Sequence, residues 1–171
     1  MANCEACGLE MEERRATERR PYQYSLSGLK NVYLIGIDVE QCPDCRVELP
    51  IIPRMAQLHN VIRKILVNKQ SLLTGDEIRF LRKNAGFSAK MFAAMLHVTA
   101  SHLSRIENGK YLLSAQGDKL IRAIISAAAD QDRLQEILLE QKAKARHSKN
   151  GAAKKNRRLF RLQGNQWRSA A

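Results

Sequence analysis

The sequence predicts a mainly α protein in which a five-helix helix-turn-helix domain follows a small metal-stabilised β-hairpin domain and precedes a disordered basic tail. Three observations carry this expectation. All four cysteines and all four prolines fall within residues 1–53, a compositional break that marks a domain boundary. From residue 54 to about 129, apolar residues recur at spacings of three and four between helix-capping residues, the period of amphipathic helices. Residues 141–171 hold ten of the 29 lysines and arginines and no acid, which leaves a near-neutral remainder of 19 basic against 17 acidic residues. The expected divisions are a Cys4 domain over 1–53, a linker helix over 54–72, the helix-turn-helix domain with a C-terminal helix over 73–146, and the tail over 147–171.

A chain of 171 residues with 44% hydrophobic content has room for a genuine core, and its formal charge of +12 points to a polyanionic partner. The N-terminus shows neither an apolar signal region nor a cleavage pattern, and no apolar run approaches the ~18 residues needed to span a bilayer. The expectation is therefore a cytoplasmic protein without a membrane partner, nucleoid-associated if it binds DNA.

Cys4-Glu-Ala-Cys7 and Cys42-Pro-Asp-Cys45 are two C-x-x-C turns, each able to aim both sulfurs at one point. Together they supply four soft thiolates, the set that a tetrahedral structural zinc site requires. The interval of 34 residues between the pairs (8–41) exceeds the ~15–20 usual in ribbons. Two separate redox pairs or four unconnected thiols are the alternatives. A redox C-x-x-C belongs beside a strand-helix unit, and nothing helical follows Cys45 before Pro53. One structural zinc ion on Cys4, Cys7, Cys42 and Cys45 is thus expected, with no open position for substrate. The segment Tyr22 to Glu40, rich in β-branched and aromatic residues, reads as an antiparallel hairpin turning at Ser27-Gly28. A unit of ~50 residues has a marginal core, and metal contributes on the order of 10 kcal/mol in small metal-folded peptides.

Met55, Leu58, Ile62, Ile65 and Leu66 mark an amphipathic helix from Arg54 to about Asn68, with His59 beside the stripe. Thr74-Gly-Asp-Glu77 fits a capping box and opens a helix to about Asn84 that buries Ile78 and Leu81 and ends at Gly86. Ser88 and Thr99 are cap residues for two short helices, Ala89–Leu96 and Ala100–Asn108, and the small Ala93 permits close helix approach. On the second of these, Leu103 and Ile106 define the buried side, so Ser101 and Arg105 point outward with His102 on the flank. Arginine is the commonest reader of guanine, and Ser or His can bond base edges or phosphates. Thr99, Lys90 and Lys110 complete the expected DNA-contacting set. Leu120, Ile121, Ile124, Ile125 and Ala128 predict a closing helix over about 115–129. Leu134, Ile137, Leu138 and Gln141 predict another over about 131–145. The tail from His147 has few apolar residues and one sign of charge, which predicts a disordered, phosphate-contacting arm.

The segment Leu96-His-Val-Thr-Ala-Ser-His-Leu-Ser-Arg-Ile-Glu-Asn-Gly109 resembles the recognition helix of the XRE, phage-repressor class. With the two C-x-x-C turns, Tyr22-Gln-Tyr-Ser-Leu-Ser-Gly-Leu-Lys-Asn-Val and Leu73-Thr-Gly-Asp-Glu-Ile-Arg-Phe-Leu-Arg-Lys, the chain resembles MqsA-family antitoxins and YgiT-type zinc-finger regulators over residues 4–129. The resemblance implies a homodimeric repressor that binds a palindromic operator and, in many members, holds an mRNA-cleaving toxin through the zinc domain. It also implies that Ser101 and Arg105 are the base-contacting pair, that Arg82 and Glu107 form a structural ion pair, and that the four cysteines are zinc ligands. His97 stands where the turn usually has glycine, and Ala89 and Ala100 stand where many phage-type repressors carry glutamine.

The function expected is sequence-specific transcriptional repression by the autoregulating antitoxin of a toxin-antitoxin pair. The alternatives are a stand-alone zinc-finger regulator, a toxin-sequestering protein with vestigial DNA binding, or a small basic RNA-binding protein. No paired carboxylates or nucleophile-base set stands out, so an enzyme is not expected.

Overall fold

The computed structural model describes residues 3–128, 158–164 and 166–170. The chain divides into two compact units, one formed by residues up to Val61 with the C-terminal segment, the other beginning at Ile62. The division falls inside a helix, and the C-terminal segment joins the cysteine-bearing unit rather than trailing the helices as a separate tail. Among the described residues no helix is long and apolar enough to cross a membrane.

The first unit holds two small sheets. β1 (Glu12–Arg15), β4 (Asp38–Gln41) and β5 (Glu48–Ile51) form an antiparallel sheet in the order β1-β4-β5, with Glu12 opposite Gln41 and Arg15 opposite Asp38. This pairing sets the residues after the first C-x-x-C against those before the second. β2 (Tyr22–Gln23) and β3 (Val32–Ile35) pair antiparallel across the expected turn, where a 3-10 turn at Ser25–Ser27 leads into Gly28. The expected hairpin is therefore present, although a different strand pair, β1 and β4, draws the two C-x-x-C turns together.

The C-terminal segment overturns an expectation. Residues 158–164 and 166–170 are not a disordered arm: β6 (Arg158–Gln163) pairs parallel with β3, and β7 (Gln166–Ala170) pairs antiparallel with β6. The resulting sheet runs β2-β3-β6-β7. Phe160 and Trp167 are buried with Tyr22, Tyr24, Val32 and Leu34, and the Trp167 indole N–H donates to the Pro53 carbonyl at 3.0 Å. The reason is that the few apolar residues of this segment alternate on a strand, and a core already formed by residues 22–35 offers them both a surface and a backbone edge. Residues 147–157 of the expected tail and the expected helix at about 131–145 lie outside the described residues.

The second unit is helical. α1 (Met55–Asn68), which begins in the first unit, contributes its C-terminal half, with Ile62, Leu66 and Val67 buried. α2 (Gly75–Asn84), α3 (Ala89–Met95), α4 (Ala100–Glu107) and α5 (Ala115–Ala127) follow. Each begins at a hydroxyl cap: Thr74, Ser88, Thr99 and Ser114 accept from the backbone N–H groups of Glu77, Met91, His102 and Gly117. The Thr74 capping box is complete, since Glu77 Oε2 accepts in return from Thr74 N–H at 2.8 Å. Gly75 sits where α2 meets the end of α4, and a Cβ there would come within 2.5 Å of the Ile106 carbonyl oxygen.

α5 corrects the apolar stripe read from sequence. Leu120 is 41% exposed and Ala128 is exposed, while the buried row is Asp118, Ile121, Arg122, Ile125 and Ser126. The Asp118–Arg122 ion pair lies within that row. Arg122 donates to Asp118 at 2.7 Å and to the carbonyls of Val67, Lys69 and Ser71 at 2.6, 2.7 and 2.8 Å. Asp118 also accepts from Leu73 N–H at 2.8 Å. The open carbonyls at the end of α1 and in the loop after it thus find their donors on α5.

Candidate metal centre and nucleic-acid interface

The two C-x-x-C turns have the same backbone plan. In the first, Cys4 N–H donates to Leu9 O and Gly8 N–H to Cys4 O, both at 2.8 Å. In the second, Cys42 N–H donates to Val47 O at 3.0 Å and Arg46 N–H to Cys42 O at 3.2 Å. Each turn places a left-handed residue directly after its second cysteine, Gly8 at φ +77° and Arg46 at φ +59°. The backbone N–H groups consequently aim at sulfur: those of Ala6 and Cys7 at Cys4, of Asp44 and Cys45 at Cys42, of Leu9 at Cys7 and of Val47 at Cys45.

All four sulfurs lie within 4.8 Å of one another. Cys4 to Cys45 and Cys7 to Cys42 are each 3.3 Å apart, and Cys7 to Cys45 is 3.9 Å. Tetrahedral zinc with Zn–S of about 2.3 Å requires sulfurs about 3.8 Å apart, so the cluster has the dimensions of such a site. Met11, buried with Cys4 and Cys42, backs it on the protein side, while Cys7 and Cys45 face outward. Burial raises the Cys42 thiol, but the N–H groups of Cys45 and Asp44 and the neighbouring thiols outweigh it and bring the group down to about 6. The Val47 N–H lowers Cys45, yet the thiols of Cys4 and Cys42 beside it push it up to about 12. Four sulfurs this close cannot all be thiolates unless a cation offsets their mutual repulsion. The four cysteines are thus arranged to hold a metal ion.

In the helical unit, α4 buries Leu103 and Ile106 and exposes Ser101, His102 and Arg105. Thr99, Lys90 on α3 and Lys110 after α4 are exposed as well. The turn between α3 and α4 places His97 at φ +53°, with Val98 N–H donating to Ala93 O at 3.0 Å. Ala93 is buried at this turn. A histidine therefore adopts the backbone conformation that the turn demands of glycine.

Beneath α4, Arg82 donates through Nε and Nη2 to the two Glu107 oxygens at 2.6 and 3.0 Å, and through Nη1 to Phe87 O at 3.0 Å. The bond to Glu107, assisted by its charge, raises Arg82 above the ordinary guanidinium range despite the opposing effect of burial. Arg79 adds a donor to Glu107 at 3.5 Å and one to Asn108 Oδ1 at 2.6 Å. Sequence reasoning had singled out neither Arg79 nor Asn108.

It had also passed over Tyr111. The end of α4 closes with Gly109 N–H donating to Ile106 O at 2.9 Å and Lys110 N–H to Arg105 O at 2.8 Å, the 5→2 and 6→1 pair of a Schellman turn. That turn folds the chain back so that Tyr111 reaches the α4 surface. Arg105 Nη1 donates to Tyr111 Oη at 3.4 Å, its guanidinium lies 5.8 Å from the Tyr111 ring centroid, and the His102 ring is 5.4 Å from the same ring. The only local signal was an aromatic residue two positions beyond a helix-ending glycine.

Residues 78–116 match the model of the helix-turn-helix family. The match runs from α2 to the start of α5, and an XRE-class helix-turn-helix domain is therefore present. Domains of this family belong to DNA-binding transcriptional regulators. No curated protein and no solved structure matches the chain.

Proposed function

We propose that the chain is a sequence-specific transcriptional repressor of the MqsA and YgiT type, the autoregulating antitoxin of a toxin-antitoxin pair. The observation that carries the DNA-reading part is the outward face of α4. Ser101 and Arg105 read bases, His102, Thr99, Lys90 and Lys110 contact bases or phosphates, and the buried Arg82–Glu107 pair fixes the helix that presents them. Two copies would insert their α4 helices into major grooves about one helical turn, or 34 Å, apart on a palindromic operator. Cys4, Cys7, Cys42 and Cys45 would hold one zinc ion, which supplies four bonds that cross-link the N-terminal unit and no open position for chemistry. That unit would be the surface that holds the toxin.

Selection from a random duplex-DNA library by the full chain tests the reading. Enrichment of an inverted repeat is expected, and Arg105→Ala should reduce affinity for it by about 1–3 kcal/mol and relax one base position per half-site. An unchanged base preference in that variant would remove Arg105 from the reading role. Co-expression with the products of adjacent reading frames tests the antitoxin part, with a stable complex and relief of growth arrest as the expected results.

A further inference from the structure

We propose that Tyr111 is a specificity-determining positioning residue that holds Arg105 in its reading rotamer, an inference that rests on the DNA-reading role of α4. An arginine on an exposed helix face ordinarily samples many rotamers, and ordering it on a base edge costs entropy. Here the side chain is restrained twice by one residue: Arg105 Nη1 bonds the Tyr111 hydroxyl at 3.4 Å, and the guanidinium lies 5.8 Å from the ring centroid. Tyr111 in turn is fixed from three directions. The Schellman turn at Gly109 sets its backbone, with Tyr111 N–H reaching Arg105 O at 3.4 Å, the Arg105 guanidinium covers its ring, and His102 meets that ring at 5.4 Å and 38°. The tyrosine is itself 47% exposed and fills no core. Its ring and hydroxyl meet two side chains of the outward face, His102 and Arg105.

A guanidinium held over a ring keeps its remaining N–H donors in one plane, and a planar pair of donors is what guanine O6 and N7 accept. Docking into a groove removes water from the guanidinium and ring, which strengthens their attraction where the reading occurs. The hydroxyl acts as a second tether that Phe would lack.

The test uses the full chain, the duplex that the wild type selects from a random library, and a matched duplex altered at the base pair that Arg105→Ala relaxes. Tyr111→Ala is expected to lower the affinity ratio between the two duplexes by about 3- to 10-fold, and Tyr111→Phe, which retains the ring, by about 2- to 3-fold. The thermal midpoint should stay unchanged in both, because the residue is exposed. An unaltered ratio in Tyr111→Ala, or an equal loss of affinity for both duplexes, would overturn the positioning role while leaving the DNA-reading proposal standing. A wild-type chain that enriches no sequence removes both.

Discussion

In the unit that carries the cysteines, four sulfurs from two turns are brought together by the pairing of β1 with β4. In the helical unit the comparable anchors are two buried arginines, Arg82 on Glu107 and Arg122 on Asp118 and the carbonyls of Leu66, Val67, Lys69 and Ser71. The arginine clusters are buried and the sulfur cluster is half-exposed at Cys7 and Cys45, and they differ also in what completes them. The arginine clusters are complete within the chain, since each guanidinium finds its carboxylate and carbonyls there. The sulfur cluster is arranged to hold a metal ion, and four thiolates at this spacing would need a cation to offset their repulsion. The first unit should therefore respond to metal supply, and the second should respond to substitution.

The largest effect that could break this contrast is metal removal. Treatment with a strong chelator should unfold the first unit and leave the second folded, observable as loss of one set of dispersed amide resonances and retention of the other. Loss of both sets, or of neither, would mean that the units are not stabilised separately in the way the sulfur and arginine clusters indicate.

Next are single substitutions that remove one member of a buried pair. Arg122→Ala removes the donor of several carbonyls and the charge partner of Asp118, and Arg82→Ala takes from Glu107 its two short bonds and leaves it the 3.5 Å contact with Arg79, so each should destabilise the helical unit by about 3–5 kcal/mol in denaturant titrations. Neither should alter metal content. Trp167→Ala, at the far end of the chain, should instead weaken the cysteine-bearing unit by about 3–5 kcal/mol. If Trp167→Ala left that unit's stability unchanged, the C-terminal hairpin would have no part in its core.

The smallest effects compare the units at matched points. Arg46 and Arg54 in the first unit and His97 in the second are left-handed residues without the freedom of glycine, and Arg46 and His97 both sit in turns of a candidate site. Arg46→Gly and His97→Gly should each relieve strain of up to about 1 kcal/mol, net of the entropy that glycine loses on folding. The gain from Arg46→Gly should show in the metal-bound protein and that from His97→Gly in the helical unit, with or without metal.

Much of the helical unit was legible in the sequence because local rules act within a few residues. A hydroxyl before an apolar period marks a helix start, and Thr74, Ser88 and Thr99 cap helices where such residues predict caps. The outward placement of Ser101, His102 and Arg105 follows in the same way from Leu103 and Ile106 alone. Helix α5 shows where that logic stops. Ile121 and Ile125 of the stripe expected through Leu120 are buried, but Leu120 is exposed and the buried row also holds Asp118 and Arg122. Their partners lie near residues 66–73, and no periodicity counts a hydrogen bond across that separation.

By itself, then, the sequence determined the two C-x-x-C turns, the caps, the helix-turn-helix and the face that α4 turns outward, because each depends on neighbours in the chain. Only the tertiary structure decided that β1 and β4 bring the sulfurs within 4.8 Å, that Arg122 closes the end of α1, and that Tyr111 lies against Arg105. It also decided the fate of residues 158–170. Read alone they are a basic segment with too few apolar groups to fold, and beside β3 they become two strands of a sheet. The physical reason is that burial and strand pairing belong to a surface and an edge supplied by another part of the chain, and charge composition contains neither.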